Sequence, residues 1–214
     1  MELLVETWSN PHLNESNAPS KTLVEAKDNG KGALYIEGIF LQAEVKNRNG
    51  RIYPKNVLEE AVDSYVNEQV SSKQSLGELN HPKRPYVDPS HAAIIIEKLW
   101  WEGNNVMGRA RVIEGDGGAG DKTAALLRAG WIPGVSSRGL GVLEERNGTK
   151  YVKEGYKLTV GVDVVWGPSA PEAYGRAVQE SNSHVKETNK EFIKESSDNK
   201  DDNSFLAIME ALKK

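Results

Sequence analysis

The stretch Ala129–Gly141, "AGWIPGVSSRGLG", decides how the rest of the chain is read. Ser136 and Ser137 stand side by side, Gly134, Gly139 and Gly141 flank them, and Arg138 follows. Glycine with serine ordinarily marks a loop. Here the run is short, and Trp131, Ile132, Val135 and Leu140 keep it apolar. It therefore reads as β-structure carrying hydroxyls into a buried place. Downstream, "GVSSRGLGVLEE" and "KYVKEGYKLTVGVDVVW" continue as short strand-like runs before the exit "GPSAPEAY".

Working upstream gives the same picture. "ALYIEGIFLQAEV" reads as one or two strands, and Asn49-Gly50 in "KNRNGRIYP" is a strong turn signal. "AAIIIEKLWWEGNNVMGRARVIEG" reads as two strands joined at Glu102–Asn105. Two helices are inserted. In "PKNVLEEAVDSYVNEQVSSK" the residues Val57, Leu58, Ala61, Val62, Tyr65 and Val66 share a face, with Pro54 near the start. "DKTAALLRAG" is capped by Asp121 and ended by Gly130. Strands outnumber helices, so the expected class is α+β: a β-barrel or a strongly curved, mostly antiparallel sheet with two or more inserted helices.

Composition divides the 214 residues. Residues 1–31 are polar and rich in breakers, and read as a flexible N-terminal extension. Residues 32–176 hold nearly all the large apolar side chains and read as the folded domain. Residues 177–204 are charged and Ser/Asn-rich, too poor in apolar surface to offset their ordering entropy, and read as a flexible linker. In residues 205–214, Phe205, Ile208, Met209 and Leu212 recur at helical spacing, an amphipathic helix that Asp202, Asn203 or Ser204 could cap.

The formal net charge of -4 argues against nucleic acid as the main partner. The absence of cysteine excludes disulfides, thiol nucleophiles and thiolate metal sites, and makes a cytoplasm the default compartment. No run approaches the roughly 20 apolar residues of a membrane span, and "MELLVETWSN" lacks the basic flank of a secretory signal.

Histidine is scarce: His12 and His184 lie in the polar extensions, His81 in "LGELNHPKRP" and His91 at the start of "HAAIIIEKLW". Serine attacks an amide only with a base to take its proton and donors for the developing oxyanion. The opening stretch offers a nucleophile with glycines beside it, and His81 is the nearest plausible base. A turn serine and an ordinary histidine explain the same residue types. The Gly-x-Ser-x-Gly elbow does not apply, because Arg138 stands where its second glycine belongs. A metal site on His81 and His91 has no ligand spacing to support it. Asp163, the one charge inside "LTVGVDVVWGP", needs a partner for its carboxylate. That partner is an imidazole, an arginine or a turn backbone. "EGDGGAGD", Glu114–Asp121, matches neither a P-loop nor an EF-hand and reads as a flexible connection. Trp100 and Trp101, adjacent in a strand, face opposite sides.

Taken in order, "LYIEGIFLQAEVKNRNGRIYP", "LGELNHP", "AAIIIEKLWWEGN", "GRARVIEGD", "RAGWIPGVSSRGLG" and "KLTVGVDVVWGPSAPEA" resemble the prohead core proteases of large contractile-tailed, T-even-like phages. The likeness spans about residues 32–175 and extends to the polar tail. This family is similar to other phage prohead proteases and to herpesvirus assemblin, which implies an assemblin-like fold. The resemblance implies His81 as general base and Ser136 as nucleophile, with Ser137 as the alternative. It implies Asp163 as the third member and an oxyanion hole in the backbone of Arg138 and Gly139.

It further implies a serine endopeptidase that self-activates inside the assembling prohead, in the host cytoplasm. Its substrates would be scaffolding core proteins and the major capsid protein, with self-association possible. No cofactor, metal, nucleic acid or membrane is called for. The implied specificity is cleavage after Glu with an apolar residue two positions earlier, with Arg138 a candidate cation for the Glu pocket. "LNE" at Glu15, "LVE" at Glu25, "IKE" at Glu195 and "IME" at Glu210 are the expected self-cleavage sites, in preference to Glu97, expected to be buried. The rivals are a non-catalytic scaffold or tube-like assembly protein on the same barrel, and a small-ligand-binding barrel. Only the enzyme needs His81 beside a serine.

Overall fold

The short apolar runs become eleven strands and two α-helices among the described residues. The strands are β1 (Glu2–Val5), β2 (Leu34–Gln42), β3 (Arg51–Ile52), β4 (Leu76–Glu78), β5 (Ala92–Glu102) and β6 (Asn105–Val112). They continue as β7 (Gly134–Gly141), β8 (Leu143–Arg146), β9 (Thr149–Val152), β10 (Lys157–Val165) and β11 (Gly175–Gln179). The helices are α1 (Lys55–Tyr65) and α2 (Ala119–Arg128). The computed structural model describes residues 1–6 and 32–179. Apart from Gly32, these belong to one compact unit. The expected terminal helix and most of the expected linker lie outside the described residues.

Three sheets carry the fold, with strand orders β1-β7-β10, β11-β2-β6-β5-β4 and β3-β9-β8. Every strand pair is antiparallel except β3–β9. The expected mostly antiparallel α+β architecture is present, but a closed barrel is not found among the described residues. Among the described residues, β-pairing between the first two sheets is confined to the isolated bridges Leu79–Val164 and Gly134–Tyr174. The reason at the first of these is local. β4 stops after three residues, Asn80 turns the chain with φ +72°, and Pro82 has no N–H to extend a ladder.

The first six residues are not an appendage. β1 joins β7, and Leu4 is fully buried in the core with Ile36, Phe40, Leu58, Val135 and Val162. Likewise β11 continues into the stretch expected to be linker. The β5–β6 hairpin turns at Gly103, φ +62°, where expected. Trp101 packs on the core, while Trp100 donates from Nε1 to Glu102.

α1 buries Val57, Leu58, Ala61, Val62 and Tyr65, the face its spacing predicts. Tyr65 lies where Gly161 leaves room on β10, and its hydroxyl is 2.6 Å from Ser75 Oγ. α2 starts earlier than expected, and Asp121 does not cap it. Asp116 instead accepts from the N–H groups of Gly118, Gly120 and Asp121, while Asp121 accepts from Gly115 and Gly117. "EGDGGAGD" is thus an ordered, doubly bonded turn. Each Asp satisfies amides that the glycine-rich backbone would otherwise leave unpaired.

Candidate active site

Strand periodicity sorts the two serines. Ser136 is the register partner of Asp163 across β7–β10, so their side chains emerge on one face. Ser137 projects to the other face, the one where Tyr156 lies against Gly139 and Gly141. These glycines are required for packing: a methyl at Gly139 would sit 2.4 Å from the Tyr156 hydroxyl oxygen.

His81 reaches Asp163 through the turn at Asn80. The Asn80 N–H donates to Val164 O at 2.8 Å, which brings the next residue over β10. His81 Nδ1 then lies 2.6 Å from Asp163 Oδ2, with both side chains almost out of solvent. Nδ1–H donating to the carboxylate leaves Nε2 as an acceptor. Asp163 accepts from Glu78 N–H at 2.8 Å and from Arg138 Nη2 at 3.0 Å, and is ion-paired with Arg138 Nε at 2.7 Å. Arg138, fully buried, also donates to the carbonyls of Arg84 and Tyr86, pinning the loop after His81. Glu78, with Arg84 at 2.7 Å, completes a charge cluster behind the imidazole.

The other side of Ser136 is occupied by Glu6. Its N–H lies 3.3 Å from both Ser137 O and His81 Nε2. Its carbonyl oxygen accepts from Ser136 Oγ, and from Ser169 N–H at 2.9 Å. Its carboxylate enters a pocket of five donors: Asn47 at 2.7 Å, Asn49 at 3.2 Å, Arg51 at 2.7 Å, Tyr53 at 2.5 Å and Ser169 Oγ at 2.5 Å. A buried carboxylate is stable only when paired in this way. Burial opposes the Arg51 charge, but Glu6 outweighs it and the guanidinium pKa is raised. Burial, then the neighbouring Tyr156 and Glu6, raises the Tyr53 phenol well above its ordinary value, so it remains a donor. Glu6 and Ser136 line a small cleft together with Leu41, Val45 and Pro171.

Residues 3–183 match the family described as prohead core protein serine protease, Peptidase_S77. The chain belongs to this family. It is 56% identical over 215 residues to the prohead core protein protease of Enterobacteria phage T4, covering 100% of this chain and 97% of that protein. A solved structure, that of the bacteriophage T4 capsid assembly protease gp21, superposes with a TM-score of 0.67 at 61% identity. The match covers 78% of this chain and 98% of that one.

In this prohead core protease the structure pairs His81 with Asp163, sets Ser136 opposite Asp163 and points the Ser137 side chain to the other face, while His81 Nε2 lies 3.1 Å from the Ser137 carbonyl oxygen. Among the described residues, the donors at the Glu6 carbonyl do not include the backbone amides of Arg138 and Gly139. Both lie inside the ladder, opposite Val5 and Leu4 of β1, and the amide that reaches the Glu6 carbonyl is that of Ser169. Arg138 is fully buried and ion-paired with Asp163 and Glu78, while Arg51 is the cation beside Glu6. His91 is exposed beside Asp88, away from the site. Glu97 points to solvent from β5, ion-paired with Arg111. His12, His184, Glu15, Glu25, Glu195 and Glu210 lie outside the described residues.

The pocket residues were missed by sequence reasoning. Their signal was present: Asn47, Asn49, Arg51 and Tyr53 alternate with period two. "LVE" at Leu4–Glu6 repeats the motif noted at Glu25. Glu78 is buried as well, and neither it nor Ser169 had a distinguishing sign.

Proposed function

We propose that this prohead core protease is a serine endopeptidase working through Ser136, His81 and Asp163. The observation that carries this is the Asp163–His81 pair beside Ser136, with a main-chain carbonyl seated on the Ser136 hydroxyl. Ser136 Oγ attacks the substrate carbonyl carbon as His81 Nε2 takes its proton. His81 returns the proton to the leaving amine, and water then hydrolyses the acyl-enzyme. Asp163, fixed by Arg138 and Glu78 N–H, holds the imidazole with Nδ1–H inward. The Ser169 N–H is the donor best supported for the oxyanion.

The preferred bond follows Glu with an apolar residue two positions earlier. The five-donor pocket supports the Glu requirement. The substrates are scaffolding core proteins and the major capsid protein of the same phage, cut inside the prohead in the host cell. The protease also cuts itself, with Glu15, Glu25, Glu195 and Glu210 as candidate sites. An assemblin-like relationship is part of this proposal, supported by the chain order His81, Ser136, Asp163.

The test is incubation of the purified chain with a peptide containing an apolar-x-Glu sequence, beside His81→Ala and Ser136→Ala variants. Mass spectrometry is expected to find cutting after Glu that both substitutions abolish. Cutting that survives Ser136→Ala would overturn the assignment.

A further inference from the structure

Glu78 is 3% exposed, and the reaction proposed above gives its carboxylate no step. A charge is kept out of water only where donors surround it. Arg84 Nη2 donates to both oxygens, at 2.7 and 2.8 Å, and the Asp88 N–H donates to Oε1 at 2.9 Å. Arg138 Nη2 approaches Oε1 at 3.4 Å. Arg84 and Asp88 belong to the loop that follows His81. Arg138 Nη1 holds the same loop by the carbonyls of Arg84 and Tyr86, at 2.8 Å each. Pro82 and Pro85 have no N–H to contribute to its fixing.

The main chain of Glu78 serves the other partner of His81. The β4–β5 ladder shifts register between Gly77 and Glu78, and the Glu78 N–H donates to Asp163 Oδ1 at 2.8 Å. Gly77 lets β4 come this close to β10, because a methyl there would run into the Val162 carbonyl oxygen. One residue thus touches both the loop that carries the imidazole and the carboxylate that holds its Nδ1.

We propose that Glu78 is a positioning residue for the reaction: its carboxylate staples the His81 loop while its N–H staples Asp163, so that the His81–Asp163 bond keeps one geometry as the proton moves. This rests on the protease function proposed above. Glu78 itself takes no proton and forms no bond to substrate. Its charge matters as well as its shape. Arg84 and Arg138 balance Glu78 and Asp163, so this cluster is neutral until His81 takes the serine proton. Glu6, whose N–H lies 3.3 Å from Nε2, is itself paired with Arg51. An amide at position 78 would leave the cluster one charge more positive and turn an NH2 toward a ring of donors. The imidazolium would then form against an uncompensated positive field, in a loop that has lost its staple.

The unaltered chain, Glu78→Gln and Arg84→Met are compared in steady-state cleavage of an apolar-x-Glu peptide. Proton NMR follows the downfield Nδ1–H signal of His81, identified by its loss in His81→Ala, and rates are referred to the folded fraction in the same spectra. Glu78→Gln is expected to lower kcat about tenfold to a hundredfold, with KM changed by less than about twofold. Its His81 signal should move upfield or broaden. Arg84→Met, which removes one anchor from a partly exposed position, should move kcat and the signal the same way by less. Where Glu78→Gln does not fold, Arg84→Met decides the matter by these two readouts. An unchanged kcat, or a lowered kcat with the His81 signal unmoved, would overturn the positioning role and leave the protease function standing. A raised KM at constant kcat would overturn it too, by placing Glu78 in substrate binding. No cutting by the unaltered chain would overturn the protease function and this inference together.

Discussion

Arg138 Nε lies 2.7 Å from Asp163 Oδ2, and both side chains are fully buried. The pair does two jobs. It neutralises a carboxylate that sits among Val160, Val162, Val164 and Val165 on β10. It also fixes that carboxylate so that its contact with His81 Nδ1 has one geometry.

Arg138→Met should therefore leave an unpaired buried charge on Asp163. Breaking one side of such a pair costs roughly 3–5 kcal/mol. Urea unfolding at neutral pH measures it, and a loss below about 1 kcal/mol would mean that Asp163 is held adequately by Glu78 N–H and His81 alone.

Ser136 and Ser137 should separate cleanly. Ser136→Ala is expected to remove peptide cutting by roughly a thousandfold or more. Ser137→Ala, whose hydroxyl lies on the Tyr156 face, should retain most of it. Steady-state cleavage of one apolar-x-Glu peptide by both variants decides the matter, and the reverse order would relocate the nucleophile.

The pocket should read charge as well as shape. Arg51→Met removes a charge-assisted bond of about 1.5–3 kcal/mol, so the preference for a Glu peptide over its Gln counterpart should fall roughly tenfold or more. The ratio of kcat/KM for the two peptides is the measurement. An unchanged ratio would show that Asn47, Tyr53 and Ser169 suffice to select the carboxylate.

Stability should decline in alkali for an identifiable reason. Burial is the largest cause raising Tyr53, Tyr65 and Tyr156 above the ordinary phenol value of 10.0. Below that value both folded and unfolded chains keep these protons, and the contribution is fully present. Above it the unfolded chain ionises first, so stability is lost as pH rises toward the folded values. The slope is up to about 1.4 kcal/mol per pH unit for each phenol. Urea unfolding between about pH 9 and about pH 11 should show this decline, with a shallower slope in Tyr53→Phe. Parallel slopes would remove Tyr53 as a contributor.

Much of the frame was legible in the chain. The β5–β6 hairpin, the apolar face of α1 and the link from His81 to Asp163 each follow from local spacing or from a motif in order. What failed had a common cause. Asp121 was chosen as a cap because it stands next to an apolar run, yet Asp116 reaches the same amides from one turn earlier. The pairing of Arg138 with Asp163 was not foreseen, because sequence cannot show which face of β7 meets which face of β10. Residues Glu2–Val5 were grouped with a polar extension because a four-residue strand is too short for periodicity to identify.

The sequence by itself determined the class of fold, the family and the residue types able to perform the chemistry. Alternation, turn signals and ordered motifs are local and survive in one dimension. Tertiary structure decided which serine stands opposite Asp163, which arginine faces Asp163 and which faces Glu6, and that Ser169 supplies an amide at the Glu6 carbonyl. Those outcomes depend on strand register and on contacts between residues as far apart as Glu6 and Ser169. In a strand, a shift of one residue exchanges the two faces, and only the packed sheets fix that choice.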